Sequence, residues 1–479
     1  MNYRMLGYLL GIILLIEAAL MALPLTVSLI YGESPLPFLF SMAILVAVGI
    51  LPVIFKPKNT RIYAQEGFVT AAASWILMSA FGALPFVFSG AIPNFIDAFF
   101  ETVSGFTTTG ASILTAIEGL PMGILFWRSF THWVGGMGVL VLMLAILPAD
   151  NNRAMHLLRA EVPGPTKDKL VPKMRHTALI LYGIYMALTL ILVIALLLTK
   201  MPLYDSIVNA FAVAGTGGFS VKNASIGAYG NPAAEWVIAI FMIVFGINFN
   251  IYFLLLLKRF KDAFKNEEVR TYLIICLLAT VVISLNTFDA AIGTETTIRT
   301  AFFQVSTIIS TTGFSSVDFN LWPSLSKTVL LFLMLIGSCA GSTAGGLKTS
   351  RVILAIKNIF RNVRQMVRPR SVNVVRMDGV AVPTSTLHTV ANFITMYLSV
   401  IVLSTLLISI DGFDLETNIS ASLACISNIG PGFSVVGPMG NYAGYSALSK
   451  LILSLNMLIG RLEIMPLLVL FSPGVWKKR

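Results

Sequence analysis

Long apolar segments separated by short polar ones run along almost the whole chain. Ten of these segments are long enough to cross a bilayer, which takes about 20 predominantly apolar residues per helix. In chain order they are 5–31, 36–55, 68–90, 122–147, 177–199, 233–257, 271–288, 325–347, 385–410 and 446–470. The pattern therefore predicts a polytopic membrane protein whose spans are all α-helical.

Four further apolar segments are too short to cross the bilayer. They are 97–108, 205–215, 296–311 and 414–428. Each lies between two long segments, so the chain must enter the membrane and return on the same side. Because non-helical backbone at membrane depth needs protein or a water-filled cavity around it, we expect each short helix and its returning loop to face the interior of the helix bundle.

The segments recur in a fixed order of long helix, short helix, loop and long helix. Two leading helices in 1–55 precede this order, which then predicts four repeats at 56–170, 171–262, 263–376 and 377–479. A unit that occurs four times in one chain can close around a single axis. We therefore expect an all-α fold in which four pseudo-symmetric repeats surround a central pore.

Each short segment ends in a loop that contains glycine. The four loops read Thr107-Thr108-Thr109-Gly110, Gly215-Thr216-Gly217-Gly218, Ser310-Thr311-Thr312-Gly313 and Asn428-Ile429-Gly430-Pro431. A single Thr-Gly pair in a membrane helix usually marks a packing contact or a kink. Four at corresponding positions, which we assign to Gly110, Gly217, Gly313 and Gly430, instead indicate a ring of backbone carbonyls that replaces the hydration shell of a cation.

The short helices add an electrostatic contribution to this predicted selectivity filter. Their C-terminal ends each carry roughly half a negative charge, and we expect them to point at the central cavity. Acidic residues suit the opposite ends. We therefore expect Asp97, Asp205 and Asp414 to begin three of the short helices, and Glu295 or Thr294 to begin the remaining one.

Composition agrees with a membrane protein: 56% of residues are hydrophobic and 11% are charged, against about 25% charged in soluble domains. The net charge of +11 would suggest a nucleic-acid partner in a soluble protein. Here 26 of the 33 lysines and arginines lie near the two termini and in the connectors on one side of the predicted spans. This positive-inside pattern predicts that both termini are cytoplasmic, that lipid surrounds the chain, and that no nucleic acid binds it.

The second long segment of repeat 3 contains the stretch 337–348, whose four glycines cannot hold a stiff helix. It predicts a loop inside the membrane, and the alternative is a small-residue face for close helix packing.

Arg461 lies in the middle of the last span, where a charge costs about 3 kcal/mol and should face a water-filled interior. The alternative is that Arg461 has a structural role and pairs with a carboxylate. That carboxylate would not be Glu463, because Glu463 lies on a different face of the helix.

Three further polar residues lie in apolar segments. We expect Glu17 to be buried against neighbouring helices. Arg128 follows Trp127 near the outer end of its segment, a pair that is typical of an anchor at the membrane interface. His132 is expected to be a packed or hydrogen-bonded histidine rather than a ligand or a proton relay.

With these loops the chain resembles the Trk/Ktr/HKT superfamily of cation transporters and, within it, the TrkH family of membrane subunits of bacterial potassium uptake systems. The resemblance covers nearly the whole chain, and the two leading spans favour the TrkH family over the shorter KtrB type. It implies that glycine in all four loops goes with potassium, and that 337–348 is a gate beneath the filter. Ala214-Gly215 in the second loop, and Ile429 followed by Pro431 in the fourth, depart from the pattern and imply modest discrimination against sodium.

The resemblance also assigns roles to individual residues. The implied filter residues are Thr108, Thr109, Gly110, Gly215, Thr216, Gly217, Thr311, Thr312, Gly313, Asn428, Ile429 and Gly430. Potassium is expected at Thr108, Thr109, Thr216, Thr311, Thr312 and Ile429. The implied gate residues are Gly341, Gly345, Gly346, Lys348 and Arg461. Of these, Arg461 is expected to project into the pore below the filter and to repel cations.

Together these features predict potassium uptake across the bacterial cytoplasmic membrane, driven by the membrane potential. The chain is expected to be no enzyme and to carry no cofactor, with K⁺ as the transported ion. The resemblance implies a homodimer and a cytosolic TrkA-type nucleotide-binding regulatory subunit that docks on the basic cytoplasmic face. Two alternatives are a potassium symporter coupled to H⁺ or Na⁺, for which Glu17 and Glu463 are the candidate acids, and the potassium-binding subunit of a pump.

Overall fold

The computed structural model describes residues 1–57, 64–138, 174–291, 293–371 and 373–471. Within these ranges the chain is mostly α-helical, and two short strands, Arg376–Met377 (β1) and Val380–Ala381 (β2), pair as an antiparallel hairpin. The prediction of an all-α membrane fold is confirmed. The C-terminal part of the predicted segment 122–147 and most of the connector after it lie outside the described residues.

Two leading spans precede the repeated elements. The first consists of Tyr3–Leu20 (α1) continued by Ala22–Ile30 (α2), and the second is Leu36–Ile54 (α3). Gly11 and Gly49 let α1 and α3 approach backbone to backbone. A side-chain carbon on Gly11 would lie 2.6 Å from the carbonyl oxygen of Gly49, and one on Gly49 would lie 2.9 Å from that of Gly11. Small residues at a helix crossing are the usual basis of close packing in membranes.

The repeats use three kinds of helix. The long first helices are Ala64–Gly82 with Leu84–Phe88 (α4 and α5), Met174–Leu198 (α8), Glu267–Asn286 (α13) and Thr384–Ile408 (α17). The short helices are Phe95–Phe106 (α6), Leu203–Gly215 (α9), Thr294–Ile309 (α14) and Leu415–Ile426 (α18). The inner helices are Met122–Gly136 (α7), Pro232–Gly246 with Phe249–Leu256 (α10 and α11), Ser324–Ile336 (α15) and Ala447–Arg461 with Met465–Phe471 (α19 and α20).

The connections contain a few further elements. Phe260–Lys265 (α12) and Thr349–Val367 (α16) follow the second and third inner helices. Single 3₁₀ turns occur at Ser225–Tyr229, Phe319–Leu321, Ser409–Asp411 and Ser434–Val436. The helix α16 exposes apolar and basic residues together.

By length and composition, six helices among the described residues qualify as membrane spans, or seven if one strongly bent pair counts as a span. The six are the two leading spans and the long first helix of each repeat. The inner helices supply the other predicted spans, and each of them stops early or bends. The sequence predicted one break in the inner helices, at 337–348. The other three inner helices are also interrupted, after Gly136, Gly246 and Arg461, so the prediction that they are continuous is wrong.

Local capping explains two of these breaks. The helices α10 and α11 meet at an angle of 89°. Asn248 lies between them and caps α11, because its side-chain oxygen accepts a hydrogen bond from the Asn250 amide. The helix α19 stops at Arg461, after which Glu463 and Ile464 have left-handed φ values of 57° and 67°. Backbone groups at such helix ends have no hydrogen-bond partner within the helix and need partners elsewhere. The groups that supply these hydrogen bonds belong to the site described below.

The short helices lie inside the protein, as predicted, and their C-terminal halves are buried. Asp414 caps α18, and the hydrogen bond from the Thr417 hydroxyl lowers the pKa of this carboxyl, which stabilises its charged form. Asp97, Asp205 and Glu295 lie within the first turn of their helices rather than at the cap, so the acids are at the starts of the short helices as expected. Acids in the first turn still complement the helix dipole.

Candidate functional site

The four loops after the short helices share one backbone conformation. We call them the glycine loops and define them as 107–110, 215–218, 310–313 and 427–430. In each loop a non-glycine residue adopts a left-handed φ of 55–57°, and these residues are Thr108, Thr216, Thr311 and Asn428. Two positions later a glycine has a φ of 77–92°, and these glycines are Gly110, Gly218, Gly313 and Gly430. The same pair of unusual conformations therefore recurs four times.

This pattern corrects the assignment of the second loop. The residue equivalent to Gly110 is Gly218 rather than Gly217, because Gly218 has the positive φ and Gly217 does not. The amide of Gly217 instead donates to the carbonyl of Ala212, five residues earlier, at 2.8 Å. The amides of Thr109, Thr312 and Ile429 make the same bond to the residue five positions earlier. The predicted register of this loop was wrong by one residue.

The glycine loops contact one another in cyclic order. A side-chain carbon on Gly110 would lie 2.0 Å from the carbonyl oxygen of Gly217. One on Gly218 would lie 2.1 Å from that of Thr312, and one on Gly313 would lie 2.0 Å from that of Ile429. The last contact closes the ring, because a carbon on Gly430 would lie 2.6 Å from the carbonyl oxygen of Thr109. Each loop therefore lies against the next, and a larger residue at these glycines would collide with the neighbouring backbone.

The ring leaves carbonyl oxygens without backbone partners. Among the described residues, no backbone amide donates to the carbonyls of Thr108, Thr109, Thr216, Gly217, Thr311, Thr312, Asn428 or Ile429. Buried carbonyls are normally paired, so eight exceptions in one ring call for a ligand or water. A threonine at left-handed φ costs on the order of 1–3 kcal/mol and persists where the surroundings enforce it. The arrangement can coordinate a cation through oxygens alone.

Side chains hold the loops in place from behind. The hydroxyls of Thr107 and Thr109 lie 2.8 Å apart, and those of Ser310 and Thr312 lie 2.7 Å apart. Asn428 joins the fourth loop to the first, because its amide donates to the Thr109 hydroxyl at 2.9 Å. Since these hydroxyls are engaged with one another, the oxygens that remain for a ligand are the carbonyl groups and the Thr108 hydroxyl, which has no hydrogen-bond partner among the described residues.

A cavity of about 110 Å³ lies against the ring. It is lined by Gly110, Gly218, Gly313 and Gly430, together with parts of the chain that follow the glycine loops. Because the cavity adjoins the segments after the loops rather than the short helices, we call it the outer vestibule. It provides space for hydrated ions next to the ring.

Arg128 is not an interfacial anchor, and that prediction was wrong. The residue is buried, and its Nε lies 2.7 Å from the carboxylate of Glu101 on α6. Its guanidinium also donates to the carbonyl of Ser220 at 3.0 Å and lies 3.6 Å from the centre of the Phe219 ring. Arg128 thereby ties the first short helix to the chain after the second glycine loop. The sequence signal was misleading because a Trp-Arg pair near a helix end is also typical of an anchor.

The other two singled-out residues are buried as expected. Glu17 is fully buried on α1, and its carboxylate lies next to Gly82 on α4. His132 packs edge-on against the Phe219 ring, with 4.1 Å between ring centres. The imidazole of His132 also fills the space beside Gly217 in the second glycine loop.

The stretch 337–348, which we call the intramembrane loop, is non-helical and lies in the break between α10 and α11. Its Cys339 amide donates to the Gly246 carbonyl at 3.1 Å, and its Gly341 carbonyl accepts from the Phe249 amide at 3.0 Å. It also contacts the ring, because the Gly345 amide donates to the Thr311 hydroxyl at 2.7 Å. The close approach to the ring leaves no room for a side chain at Gly345, where a carbon would lie 2.2 Å from the Ser427 carbonyl oxygen.

Glu268 holds both sides of the intramembrane loop, and the sequence analysis did not single it out. Its Oε1 accepts hydrogen bonds from the amides of Ala340 at 2.7 Å and Ser350 at 3.0 Å. Within the loop, the ammonium group of Lys348 donates to the Ala344 carbonyl. The one available signal for Glu268 was an acid at the start of a long apolar helix, which is equally typical of an ordinary first turn.

Arg461 connects the intramembrane loop to the first repeat. One guanidinium nitrogen donates to the Thr343 carbonyl at 2.7 Å. Another donates to the carbonyls of Gly135 and Gly136 at 2.5 and 2.8 Å, where α7 ends. These three partners are all backbone carbonyls. Glu463 instead binds Arg351, with its carboxylate oxygen 2.5 Å from the guanidinium.

Comparison with known proteins agrees with this architecture. A family model described as TrkH, a cation transport protein, matches residues 34–478. The Trk system potassium uptake protein TrkH of Salmonella typhimurium is 37% identical over 490 residues, and the match covers 100% of both chains. TrkI of Halomonas elongata is 31% identical, covering 98% of this chain and 96% of that protein. The crystal structure of the potassium transporter TrkH from Vibrio parahaemolyticus matches with a TM-score of 0.90 at 30% identity, covering 100% of both chains.

Alanine substitutions at the two glycines of the second loop test its register. A carbon on Gly217 would lie 1.5 Å from the His132 ring, whereas the obstacle at Gly218 is the Thr312 carbonyl at 2.1 Å. We expect Gly217→Ala to prevent folding alone and to be rescued by His132→Ala, which removes the obstacle. Gly218→Ala should not be rescued, because its obstacle is backbone and its φ is 77°. Size-exclusion chromatography measures the yield of folded protein for each single and double variant. Rescue of Gly218→Ala by His132→Ala would contradict the corrected register.

Substitution of Glu268 tests its hold on the intramembrane loop. Glu268→Ala leaves two buried amides unpaired, and we expect it to lower the free energy of unfolding by about 2–6 kcal/mol. Glu268→Gln keeps an acceptor oxygen and should retain most of the stability. Thermal unfolding of the purified variants measures the difference. Equal transition temperatures for the two variants would mean that the hydrogen bonds do not stabilise the loop.

Proposed function

The chain belongs to the TrkH family of cation transport proteins, and on this basis we propose that it carries potassium into the cell through a channel-like pore. Membership of a family of transport proteins agrees with the prediction that the chain is not an enzyme. The observation that carries the proposal is the closed ring of glycine loops, in which eight carbonyl oxygens accept no hydrogen bond from any backbone amide that the structure describes. Such oxygens can replace the water that a potassium ion loses.

We propose that the ring is the selectivity filter. The predicted potassium positions at Thr108, Thr109, Thr216, Thr311, Thr312 and Ile429 are six of the eight unpartnered carbonyls. The other two unpartnered carbonyls are those of Gly217 and Asn428, which we add to this set. The C-terminal ends of the short helices lie beside the loops and contribute negative potential. The membrane potential then drives entry, with about 2.3 kcal/mol per charge for each 100 mV.

The intramembrane loop is the proposed gate, with Gly341, Gly345, Gly346, Lys348 and Arg461 as its residues. Its contact with Thr311 and its two bonds to Glu268 support this role, because any movement of the loop changes what lies directly against the ring. Arg461 contributes in two ways. Its positive charge repels cations, and its three hydrogen bonds hold the loop against α7.

The surroundings of the chain follow from family membership and from charge. We propose that it lies in the bacterial cytoplasmic membrane with both termini in the cytoplasm. The relatives are named as parts of a Trk system, which supports a multi-component assembly. A homodimer, and a TrkA-type nucleotide-binding subunit on the basic cytoplasmic face, complete the proposal. The arginine-rich helix α16, with Arg361 half-buried and Arg364 exposed, offers positive charge on that face.

One observation favours a second candidate function, the ion-coupled symporter. Glu17 is fully buried, and neither carboxylate oxygen has a hydrogen-bond partner among the described residues. An intramembrane acid of this kind is typical of proton-coupled transport. Glu463 is a weaker candidate, because its carboxylate is paired with Arg351. The potassium-binding subunit of a pump would instead copurify with an ATP-hydrolysing partner.

Flux through the purified chain in liposomes tests the proposed function. With an imposed inside-negative potential and no proton or sodium gradient, we expect uptake of K⁺ and Rb⁺ that exceeds uptake of Na⁺. The margin should be modest, since the fourth loop carries Ile429 and Pro431. Glu17→Gln serves as the matched test of coupling and should leave this uptake unchanged. Uptake that requires a proton or sodium gradient would favour the symporter, and sodium flux above potassium flux would refute the potassium filter.

Two substitutions at Arg461 separate its charge from its hydrogen bonds. We expect Arg461→Ala to raise cation flux roughly tenfold, which corresponds to about 1.4 kcal/mol of barrier. Arg461→Lys keeps the charge but cannot span three carbonyls. Flux near the level of the unsubstituted chain in the lysine variant would identify charge repulsion as the barrier, and flux near that of the alanine variant would identify the bracing of the loop. Unchanged flux in a well-folded Arg461→Ala protein would contradict both roles.

A further inference from the structure

The outer vestibule has an unexpected charge for an entrance used by cations. Of the described residues that line it, two are basic, Arg128 and Lys222, and none is acidic. The charge of Arg128 is compensated, because its guanidinium lies 2.7 Å from the buried carboxylate of Glu101. Lys222 therefore supplies the uncompensated charge on the lining.

The position of Lys222 is held by hydrogen bonds from two repeats. Its amide donates to the Ser220 hydroxyl at 3.2 Å. The next residue, Asn223, accepts from the Ile117 amide at 2.8 Å and donates to Glu118 through its own amide and side chain, both at 3.3 Å. The segment that carries Lys222 is therefore fixed at the edge of the vestibule.

The ammonium group itself has no acidic partner in the described part of the chain. The eight ion pairs found there do not include Lys222. The acid next to this segment, Glu118, accepts hydrogen bonds from Asn223 and does not line the vestibule. The side chain is half-buried, so solvent screens its charge only in part.

We propose that Lys222 sets the affinity of the chain for external potassium, acting as a fixed positive charge that lowers the cation concentration in the outer vestibule. This inference rests on the proposed function, and it names a residue that determines half-saturation rather than one that binds the ion. A fixed positive charge on the vestibule lining repels each arriving cation, and salt screens the repulsion over a Debye length of about 10 Å at 0.1 M ionic strength. The chain thus takes up potassium with a lower affinity than its ring alone would permit.

Uptake kinetics in liposomes test this inference. We expect Lys222→Gln to lower the half-saturating K⁺ concentration about two- to tenfold at low ionic strength, with little change in the maximal rate. The difference should shrink when an impermeant organic salt raises the ionic strength. Lys222→Arg keeps the charge and should behave like the unsubstituted chain. Lys200→Gln is the matched control, because it removes an exposed lysine of the same predicted outer face that does not line the vestibule.

A chemical version of the experiment avoids differences in folding between variants. In Lys222→Cys, a positively charged methanethiosulfonate reagent restores the charge on the same folded protein, and a neutral reagent of similar size does not. The native cysteines Cys276, Cys339 and Cys425 are all buried, which directs the reagent to position 222. We expect only the charged reagent to raise the half-saturating concentration again.

The outcomes separate this inference from the proposed function. If the unsubstituted chain carries no cation, the proposed function fails and the inference fails with it. If the chain carries potassium and Lys222→Gln has an unchanged half-saturating concentration, the inference alone is refuted. It is also refuted if Lys222→Arg behaves like Lys222→Gln, or if charged and neutral reagents have the same effect, since packing rather than charge would then be responsible.

Discussion

Non-helical backbone inside a membrane survives only where protein, or a ligand that the protein holds, satisfies its polar groups, and this constraint governs the structure. The chain leaves the helical conformation in the four glycine loops and again at the ends of its inner helices. These irregular segments satisfy one another. The intramembrane loop pairs with the backbone at the break between α10 and α11, and it donates to the hydroxyl of Thr311 in the ring. Neither the ring nor the loop would be stable in lipid without the other.

Buried charges complete this arrangement in an uncommon way. Arg461 donates to three backbone carbonyls, and Glu268 accepts from two backbone amides. Hydrogen bonds to charged groups are stronger than neutral ones, which suits them to hold backbone that has lost its helical partners. Charged side chains therefore act here as caps for irregular backbone. The ring carbonyls receive no hydrogen bond from a backbone amide of the described residues, and the proposed function follows from these unpaired oxygens.

Hydrophobic length is a local property, and it predicted much of the fold. The four short segments were recognisable because each is too short to cross the bilayer, and the glycines clustered in 337–348 revealed one broken helix. The other breaks were missed because the polar residues at them are isolated within apolar runs. Asn248 interrupts one such run, and only the capping of a new helix by its side chain shows that the direction changes there. Glu268 was missed because its partners lie more than 70 residues away in sequence.

The sequence by itself determined that the chain is a helical membrane protein, that four short helices turn back inside it, and that each ends in a glycine-bearing loop. Tertiary structure decided which glycine of the second loop belongs to the ring. Gly217 and Gly218 are chemically identical in the sequence, and either could occupy the equivalent position. The choice depends on where α9 ends and on the Thr312 carbonyl that fills the space beside Gly218. A backbone register of this kind is set by contacts with a neighbouring repeat, which no local pattern contains.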